Sequence, residues 1–413
     1  MMRLELLNTG SELLLGAVLN THVRYIADQL FPLGLRLERQ TTVPDGAAIG
    51  SAMRESFGRC DILIVTGGLG PTSDDITRDL AAELLGVSMQ QDPEVLQAID
   101  ARMSRRGFVM NAAIARQALV PDGAQVLPNT NGTAPGLYFP PRPLDGGGHS
   151  PHLFLLPGPP RELYPMFERE VEPRLDALTE TTTTTHATYK IVGLGESKVQ
   201  DLLEHQLLKL GSVEIGYCAR PGEVDLRLIA EPALIEQATP MIAHACGDAL
   251  ISDDGRSLGE VLLGELRERN QTLVTAESCT GGRIANAMTD LPGASEVFLG
   301  GVVAYANEVK IGQLNVSPEL LKAKGAVSAE VAEQMAEGVR LALHADLAIS
   351  TTGIAGPGGG TELKPAGTVF IGISQKGKNA FAVRKDFPSD RDTFKHLTMQ
   401  TAFLLALRQL RDE

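Results

Sequence analysis

The sequence predicts an α/β protein of several domains: a parallel sheet with helices on both faces first, a small α+β module next, and a second α/β domain last. Three observations carry this. The run DILIVTGG is continuously apolar, as in a strand buried on both faces. Strand-like and helix-like stretches alternate along most of the chain. And 413 residues exceed what one hydrophobic core usually organises.

In order, residues 3–7 (RLELL) predict a strand. Asn20 is placed to cap a helix whose Val23, Ile26, Ala27 and Leu30 share a face, with Gly34 past its end. A strand over 35–43, a helix over 47–58 and the strand DILIVTGG follow, then a helix over 77–85 stopped by Gly86. PRPLDGGGHS at 141–150 is a Pro/Gly-rich excursion before the strand HLFLLPG, and the threonine run at 181–185 predicts a hinge. Beyond it come strand and helix (ATYKIVGLGESKVQDLLEHQLL), two strands around Pro221–Gly222, and a helix over 233–249. DDGR at 253–256 predicts a second linker. The last part predicts a helix over 257–270, the strand ending in TAESCTGG, the run GGVVAY, a helix over 329–343, the strand DLAIST, a strand pair over 367–387 and an amphipathic helix over 390–411.

Composition narrows the function. Lys+Arg of 37 against Asp+Glu of 51 gives a net charge of −14, which repels bulk nucleic acid while leaving room for a local basic pocket that holds one phosphate. Without tryptophan, an exposed base-stacking platform is disfavoured. Cys60, Cys218, Cys246 and Cys279 form no C-x-x-C pair, so neither a disulfide framework nor a structural zinc is expected. No apolar run is long enough to span a bilayer, and MMRLELLNTGSELLLG lacks the features of a signal peptide. The expectation is a cytoplasmic protein acting on small molecules.

The first candidate site is VTGGLGPTSDDIT. Gly67, Gly68 and Gly70 let the backbone turn tightly and present N–H groups to an anion, and a helix N-terminus follows. Asp74 and Asp75 sit where carboxylates could hold a metal bridging phosphates. The plainer reading is a strand–helix turn with Asp74 as N-cap and Asp75 near the helix dipole. Three more Gly/Pro turns, GSELLLG, PNTNGTAPG and LPGPPRE, tip the balance towards a site.

GSELLLG, VPDG, TGGLGPTSDDITRD, NTNGTAPG and LPGPPRE together resemble the N-terminal domain of the competence/damage-inducible CinA family, itself similar to the MoaB/MogA-like molybdopterin-binding fold of molybdenum-cofactor biosynthesis proteins. The resemblance spans essentially the whole chain. It implies a molybdopterin-binding-like domain over 1–180, a KH-like module over 186–252 and an amidase domain over 256–413. For the first domain it implies cleavage of ADP-ribose to AMP and ribose 5-phosphate with a divalent Mg, Mn or Co ion. Asp45 and Asp75 match the family's acidic positions; Asp74 lies beside the latter, and Glu12 is a further ligand or base. Gly67, Gly68 and Gly70 would hold phosphate, with Asn131, Thr133 and Arg161 lining the pocket. In the middle module, VGLGES carries only Lys198 among acidic Glu196 and Asp201, which argues against RNA binding and for a spacing or dimerising role.

The second candidate site is TAESCTGG. A small polar residue at a strand end, before two glycines opening a helix, suits a nucleophile beside backbone donors. On the residues alone, Ser278 and Cys279 both stand. No histidine is well placed as base, but Lys310 in AYANEVK could serve if burial lowers its pKa. TTGIAGPGGG brings Thr352, Gly353 and Gly356, and Arg391 in SDRD is placed to clamp a phosphate.

AESCTGG, YANEVK, GAVS, TGIAGPGGGTELKPAGTV and SDRD resemble nicotinamide mononucleotide deamidase. The resemblance implies hydrolysis of the carboxamide to nicotinate mononucleotide and ammonia at a metal-free site, with Ser278 as nucleophile, Lys310 as base and Tyr305 as its partner. Glu277 would neutralise the pyridinium, and backbone amides near Gly281 and Gly353 would hold the oxyanion. Thr280, Gly282, Asn307, Thr352 and Arg391 complete the substrate site. The departures Ala306, Ala366 and SDRD touch no catalytic group. Partners expected are small-molecule nucleotides, with neither membrane nor nucleic acid, and a second copy in a homodimer. The alternative is a nucleotide- or pterin-binding protein without catalysis, tied to competence or DNA damage.

Overall fold

The computed structural model describes residues 2–144, 147–179 and 184–411. The chain divides into two compact units, residues 1–184 and 185–413.

The first unit contains β1 (Leu4–Thr9), α1 (His22–Leu30), β2 (Leu37–Val43), α2 (Ala48–Phe57), β3 (Ile62–Thr66), α3 (Thr77–Leu84), α4 (Pro93–Arg105), β4 (Gln125–Leu127), β5 (Gly136–Phe139), β6 (His152–Leu156) and α5 (Pro160–Met166). The sheet runs β2-β1-β3-β6-β5-β4. Its first four strands are parallel; β5 and β4 are antiparallel. The connection between β4 and β5 is too short for the helical crossover that parallel neighbours need, so that edge must be a hairpin. Leu4, Leu6, Ile62, Ile64, Phe154 and Leu156 fill the core on one face of the sheet. Leu7, Leu63, Val65, Leu153 and Leu155 fill the other. Two covered faces explain why these strands read as unbroken apolar runs, each large side chain contributing roughly 1.5–3 kcal/mol.

The cap of α1 differs from expectation. Thr21 is the N-cap by position, and Asn20 acts one residue earlier, its Oδ1 accepting from His22 N at 3.1 Å. Gly34 closes the helix end with φ of 70°. Residues 145 and 146 of the Pro/Gly-rich excursion lie outside the described residues; Pro143 and His149 on either side form an antiparallel bridge. Residues 181–183 of the threonine run also lie outside them, and Thr185 opens the next strand.

The second unit opens with β7 (Thr185–Val192), α6 (Glu196–Leu208), β8 (Glu214–Arg220), β9 (Glu223–Ala230), α7 (Pro232–Cys246) and β10 (Leu250–Ser252). They form the antiparallel sheet β8-β9-β7-β10. Tyr189, Ile191, Leu226 and Leu228 form a core with the two helices. On the alternate positions, buried Lys190 meets Asp225 at 2.6 Å. Val192 and Ile251 join the core of the larger domain that follows. The expected linker at 253–256 is folded back, with Ser252 Oγ donating to the Arg256 carbonyl at 2.8 Å.

That larger domain contains α8 (Leu258–Glu268), β11 (Leu273–Glu277), α9 (Arg283–Thr289), β12 (Phe298–Val303), α10 (Asn307–Leu314), α11 (Ala329–Ala342), β13 (Leu347–Gly353), β14 (Thr368–Gln375), β15 (Phe381–Asp386) and α12 (Arg391–Arg411). Ser257 and Glu260 close a reciprocal capping box on α8. The sheet order is β12-β11-β13-β14-β15, parallel through β13 and antiparallel beyond. Leu273, Leu347 and Ile349 pack with α8 and α12, while Val274, Ala276 and Ala348 pack with α11. Two covered faces leave the carboxyl ends of β11 and β13 as the open edge where Ser278 and Gly353 emerge. Among the described residues, no helix is long and apolar enough to cross a membrane.

Candidate functional site

At the carboxyl ends of β1 and β3 the first unit encloses a cavity of about 560 Å³, whose walls include Glu12, His22, Asp45, Gly67, Gly68, Gly70, Asp74, Asp75, Thr133 and Glu162. Gly67 and Gly68 have φ of 101° and 68°. A β-carbon on Gly67 would collide with Thr9, and one on Gly68 with Thr77. Both conformation and crowding therefore demand glycine. The turn is pinned by Gly67 N to the Leu156 carbonyl (2.9 Å) and Thr77 N to the Gly68 carbonyl (3.1 Å). Beside it, Thr9 Oγ1, Thr77 Oγ1 and Gln117 Oε1 are buried without a hydrogen-bond partner. Such atoms are costly to leave unpaired.

The four carboxylates named from sequence line this one cavity. Asp45 accepts from Ser11 N at 2.9 Å, and Asp75 from Thr72 N at 3.0 Å as well as from the Thr72 hydroxyl. Asp74 does not cap α3: the N-cap is Ile76, and no side chain caps this helix. Among the described residues, no three His, Cys, Asp or Glu side chains gather as a ready metal cluster. The donor set still suits a small hard cation. Mg²⁺ takes oxygen ligands, keeps several waters, and needs only one or two carboxylates when phosphates supply the rest.

Two expected pocket residues stand elsewhere. Asn131 and Arg161 are absent from the cavity wall. The NTNG turn folds on itself, Asn129 Oδ1 accepting from Asn131 N (2.9 Å) and Gly132 N (2.6 Å), which sends the Asn131 amide to the Arg161 carbonyl at 2.7 Å. In their place the wall presents Glu162, which accepts from Asn129 Nδ2 at 2.9 Å, and buried His22. His22 Nδ1 lies 3.1 Å from Thr66 Oγ1, and burial lowers its pKa, favouring the neutral ring. LPGPPRE already contains the glutamate; nothing in the spacing of NTH singles out the histidine.

In the second unit, Ser278 follows β11 and is nearly buried, its N–H donating to the Thr351 carbonyl at 2.9 Å. Gly281 and Gly282 turn the chain with φ of 65° and 94°. Glu277 is turned into its own loop. Its buried carboxylate accepts from Gly282 N (2.9 Å), Ile284 N (3.1 Å) and Ala285 N (2.8 Å), fixing the loop and the start of α9. Three backbone donors absorb the charge assigned from sequence to the pyridinium.

Lys310, on α10, is 1% exposed. Its Nζ lies 2.7 Å from the Ala304 carbonyl, 3.1 Å from the Tyr305 carbonyl and 3.3 Å from Ser278 Oγ. Burial lowers its pKa. Tyr305 partners this lysine through its backbone; its side chain is 65% exposed, with the hydroxyl 3.4 Å from an Arg391 guanidinium nitrogen. The ring is turned outward because its carbonyl, at the entry to α10, is the group turned in.

Thr280 and Thr352 are buried with their hydroxyls engaged, on Thr351 Oγ1 and the Ala326 carbonyl, both at 2.7 Å. Asn307 is exposed at the first turn of α10. Arg391 donates to the Gly356 carbonyl at 3.2 Å. Ile354 N donates towards β14, so by strand alternation the Gly353 N–H points to the opposite side, where the Thr351 carbonyl meets Ser278. Cys279 is buried, which pushes its thiol up to about 12. A protonated, enclosed thiol is no nucleophile near neutrality.

Family models match in the order read from the sequence: a probable molybdopterin binding domain over residues 5–177, a damage-inducible protein CinA KH domain over 186–248, and a CinA C-terminal domain over 256–410. A "CinA-like protein" of Akkermansia muciniphila is 43% identical over 411 residues, covering 100% of this chain and 98% of that one. A "putative competence-damage inducible protein" of Caldicellulosiruptor bescii is 40% identical over 416 residues, covering 99% of each. Among solved structures, the competence/damage inducible protein CihA of Agrobacterium tumefaciens is 37% identical, covering 37% of this chain and 94% of that one, with a TM-score of 0.36.

Thiol alkylation of the native protein checks the reading of Cys279. Exposed Cys218 is expected to label first, with Cys60, Cys246 and Cys279 following only on unfolding. Fast native labelling of Cys279 would return it as a nucleophile.

Proposed function

The chain belongs to the CinA family, and from that premise we propose a hydrolase with two sites. The C-terminal domain hydrolyses nicotinamide mononucleotide to nicotinate mononucleotide and ammonia. The first unit cleaves ADP-ribose to AMP and ribose 5-phosphate with a divalent metal. The protein works on small nucleotides as a homodimer.

The observation that carries the amidase reading is the socket around Lys310. A lysine in water titrates near ~10.4 and is useless as a base at neutral pH. Buried, it favours the neutral amine, which has two N–H donors and one lone pair. The Ala304 and Tyr305 carbonyls take the two donors, leaving the lone pair for the Ser278 hydroxyl. Lys310 accepts that proton as Oγ bonds to the carboxamide carbon and the carbonyl electrons move to oxygen. The Gly353 N–H, aimed to the serine side, and the loop at Gly281 are the donors for this oxyanion. On collapse the C–N bond breaks and Lys310 returns the proton to nitrogen, releasing ammonia. Water then gives a proton to Lys310 and attacks the ester; Ser278 leaves and retakes that proton. Glu277 serves by holding the loop in which this happens.

For the first unit, support comes from the glycine turn, the unpaired polar atoms beside it and the carboxylates on one cavity wall. Asp45, Asp74, Asp75 and Glu12 would hold the metal, which would neutralise pyrophosphate charge. The turn at Gly67–Gly70 accommodates the phosphates. One observation favours a second reading, in which this unit binds a nucleotide or pterin without catalysis: no three carboxylates are gathered in advance among the described residues. Metal dependence separates the two.

Ammonia release from nicotinamide mononucleotide is expected to survive EDTA and to fall at least ~10³-fold in Ser278→Ala. ADP-ribose cleavage is expected to vanish with EDTA and in Asp75→Ala. Ammonia release by Ser278→Ala at the wild-type rate would remove the serine from the mechanism; metal-independent cleavage would remove the metal from the first site.

Because the base must be unprotonated, kcat/KM for the amide should fall as pH drops through the lowered Lys310 pKa. The plateau should be reached below ~10.4. A rate still climbing at that value would mean the lysine is not the base.

A further inference from the structure

Three arginines from separate elements converge on the NTNG turn of the first unit. Arg102, on the last turn of α4, donates from Nη1 to the Thr130 carbonyl at 2.6 Å. Arg169, in the helical stretch Phe167–Val171 beyond α5, donates from Nη2 to the Thr130 hydroxyl at 2.8 Å. Arg161 meets the turn through its carbonyl, which accepts from Asn131 Nδ2 at 2.7 Å. Arg105 and Arg106 follow at the end of α4, both exposed. The helix dipole accounts for arginines at the end of α4. It does not account for Arg161 and Arg169, which arrive from elsewhere.

Little negative charge offsets this cluster. Among the described residues, Arg161 has only a 3.8 Å approach to Glu162, and Arg102, Arg105, Arg106 and Arg169 form no salt bridge. Burial, and then the like charges of Arg106, Arg105 and Arg161, depress the Arg102 pKa. Arg102 Nε is shut off from water and has no hydrogen-bond partner. In a chain of net charge −14, such a concentration of guanidinium groups favours an anion.

Arg102 also lines a second cavity, of about 370 Å³, with apolar walls from Val95, Ile99, Val126 and Pro128 and with Glu94 among its lining. That volume lies within the range of small-molecule sites. Glu94 and Arg102 are eight residues apart on one helix, about 12 Å at 1.5 Å per residue. Asp92, beside Glu94, is spent on the helix start, its Oδ1 accepting from Glu94 N (2.8 Å) and Val95 N (3.0 Å). The cavity therefore offers a carboxylate acceptor at one end, an apolar middle and guanidinium donors at the other. A bare polyphosphate leaves the apolar walls unused, and an acidic peptide buries more surface than a cavity of this size provides. A purine nucleoside di- or triphosphate matches all three parts, with base N–H groups for Glu94, ring faces for the apolar walls and phosphates for the arginines. We propose that this cavity is a second nucleotide site, distinct from the one at Gly67–Gly70, which takes a purine nucleoside di- or triphosphate with its phosphates on Arg102 and the neighbouring arginines. Thr133 lines both cavities, and Asn129 of this one donates to Glu162 of the other at 2.9 Å, so an occupant here grips the wall of the first site. The site does not depend on what the first cavity hydrolyses.

The test is calorimetric titration of the full chain with ADP in EDTA, in wild type, Arg102→Ala, Arg102→Lys, Arg106→Ala and Asp75→Ala, with adenosine and inorganic pyrophosphate as partial ligands. Loss of a charge-assisted contact is expected to weaken ADP binding about 10- to 100-fold in Arg102→Ala, with Arg102→Lys restoring part of it. Arg106→Ala, an exposed change that leaves the hydrogen bonds of the turn in place, should weaken it in the same direction. Asp75→Ala should leave it unchanged. Adenosine and pyrophosphate should each bind at least ~10-fold more weakly than ADP. No binding by wild type, or an ADP affinity unchanged in either arginine-to-alanine variant, overturns the site. Binding lost in Asp75→Ala but kept in both arginine-to-alanine variants puts the nucleotide in the first cavity and overturns it equally. Pyrophosphate bound as tightly as ADP overturns the nucleoside half of the assignment.

Discussion

The C-terminal site depends on an amine removed from water. Burying a charged ammonium costs several kcal/mol even after relaxation, so a lysine in this position favours the neutral form and demands partners for its N–H groups. The Ala304 and Tyr305 carbonyls supply them because the chain leaves β12, passes those residues and at once enters α10, which presents Lys310 back towards its own entry. The serine arrives from β11, whose parallel register with β12 sets Glu277 beside Val303. Lys310 and Ser278 therefore meet through sheet pairing and the entry to α10.

Around that contact the neighbouring groups are committed to holding geometry. Glu277 captures three amides, Thr280 bonds to Thr351, and Thr352 bonds to the chain at Ala326. The first unit follows a different principle. There the glycine turn brings the backbone itself to the cavity, with carboxylates on the wall and buried hydroxyls of Thr9 and Thr77 left without a partner beside it.

Most of this framework was legible in the sequence. Strands covered on both faces, such as Ile62–Thr66 and Leu347–Gly353, announce themselves as apolar runs, and each glycine-rich exit marks a carboxyl edge. Ser278 and Lys310 were named by chemistry and resemblance together, and their side chains lie 3.3 Å apart. What escaped has physical causes. The strand Leu250–Ser252 is three residues long and falls between the expected helix over 233–249 and the expected linker at 253–256. Which part of Tyr305 faces the lysine depends on a turn, which residue type does not encode. Asn131 and Arg161 looked like pocket residues because polar turns and ligand loops share a composition; the hydrogen bonds of Asn129 decide otherwise. His22 carries no local signal, since it acquires its place from an element distant in sequence.

The claim on which the account turns is that burial lowers the Lys310 pKa and makes its amine available to the Ser278 hydroxyl. Its most direct test is an NMR titration of the lysine side-chain Cε–Nζ groups in the wild-type protein, with Lys310→Met to assign the signal. The account predicts a resonance, lost in the variant, that titrates below the ordinary lysine value of ~10.4. A Lys310 signal titrating at that value would contradict it and leave Ser278 without its base.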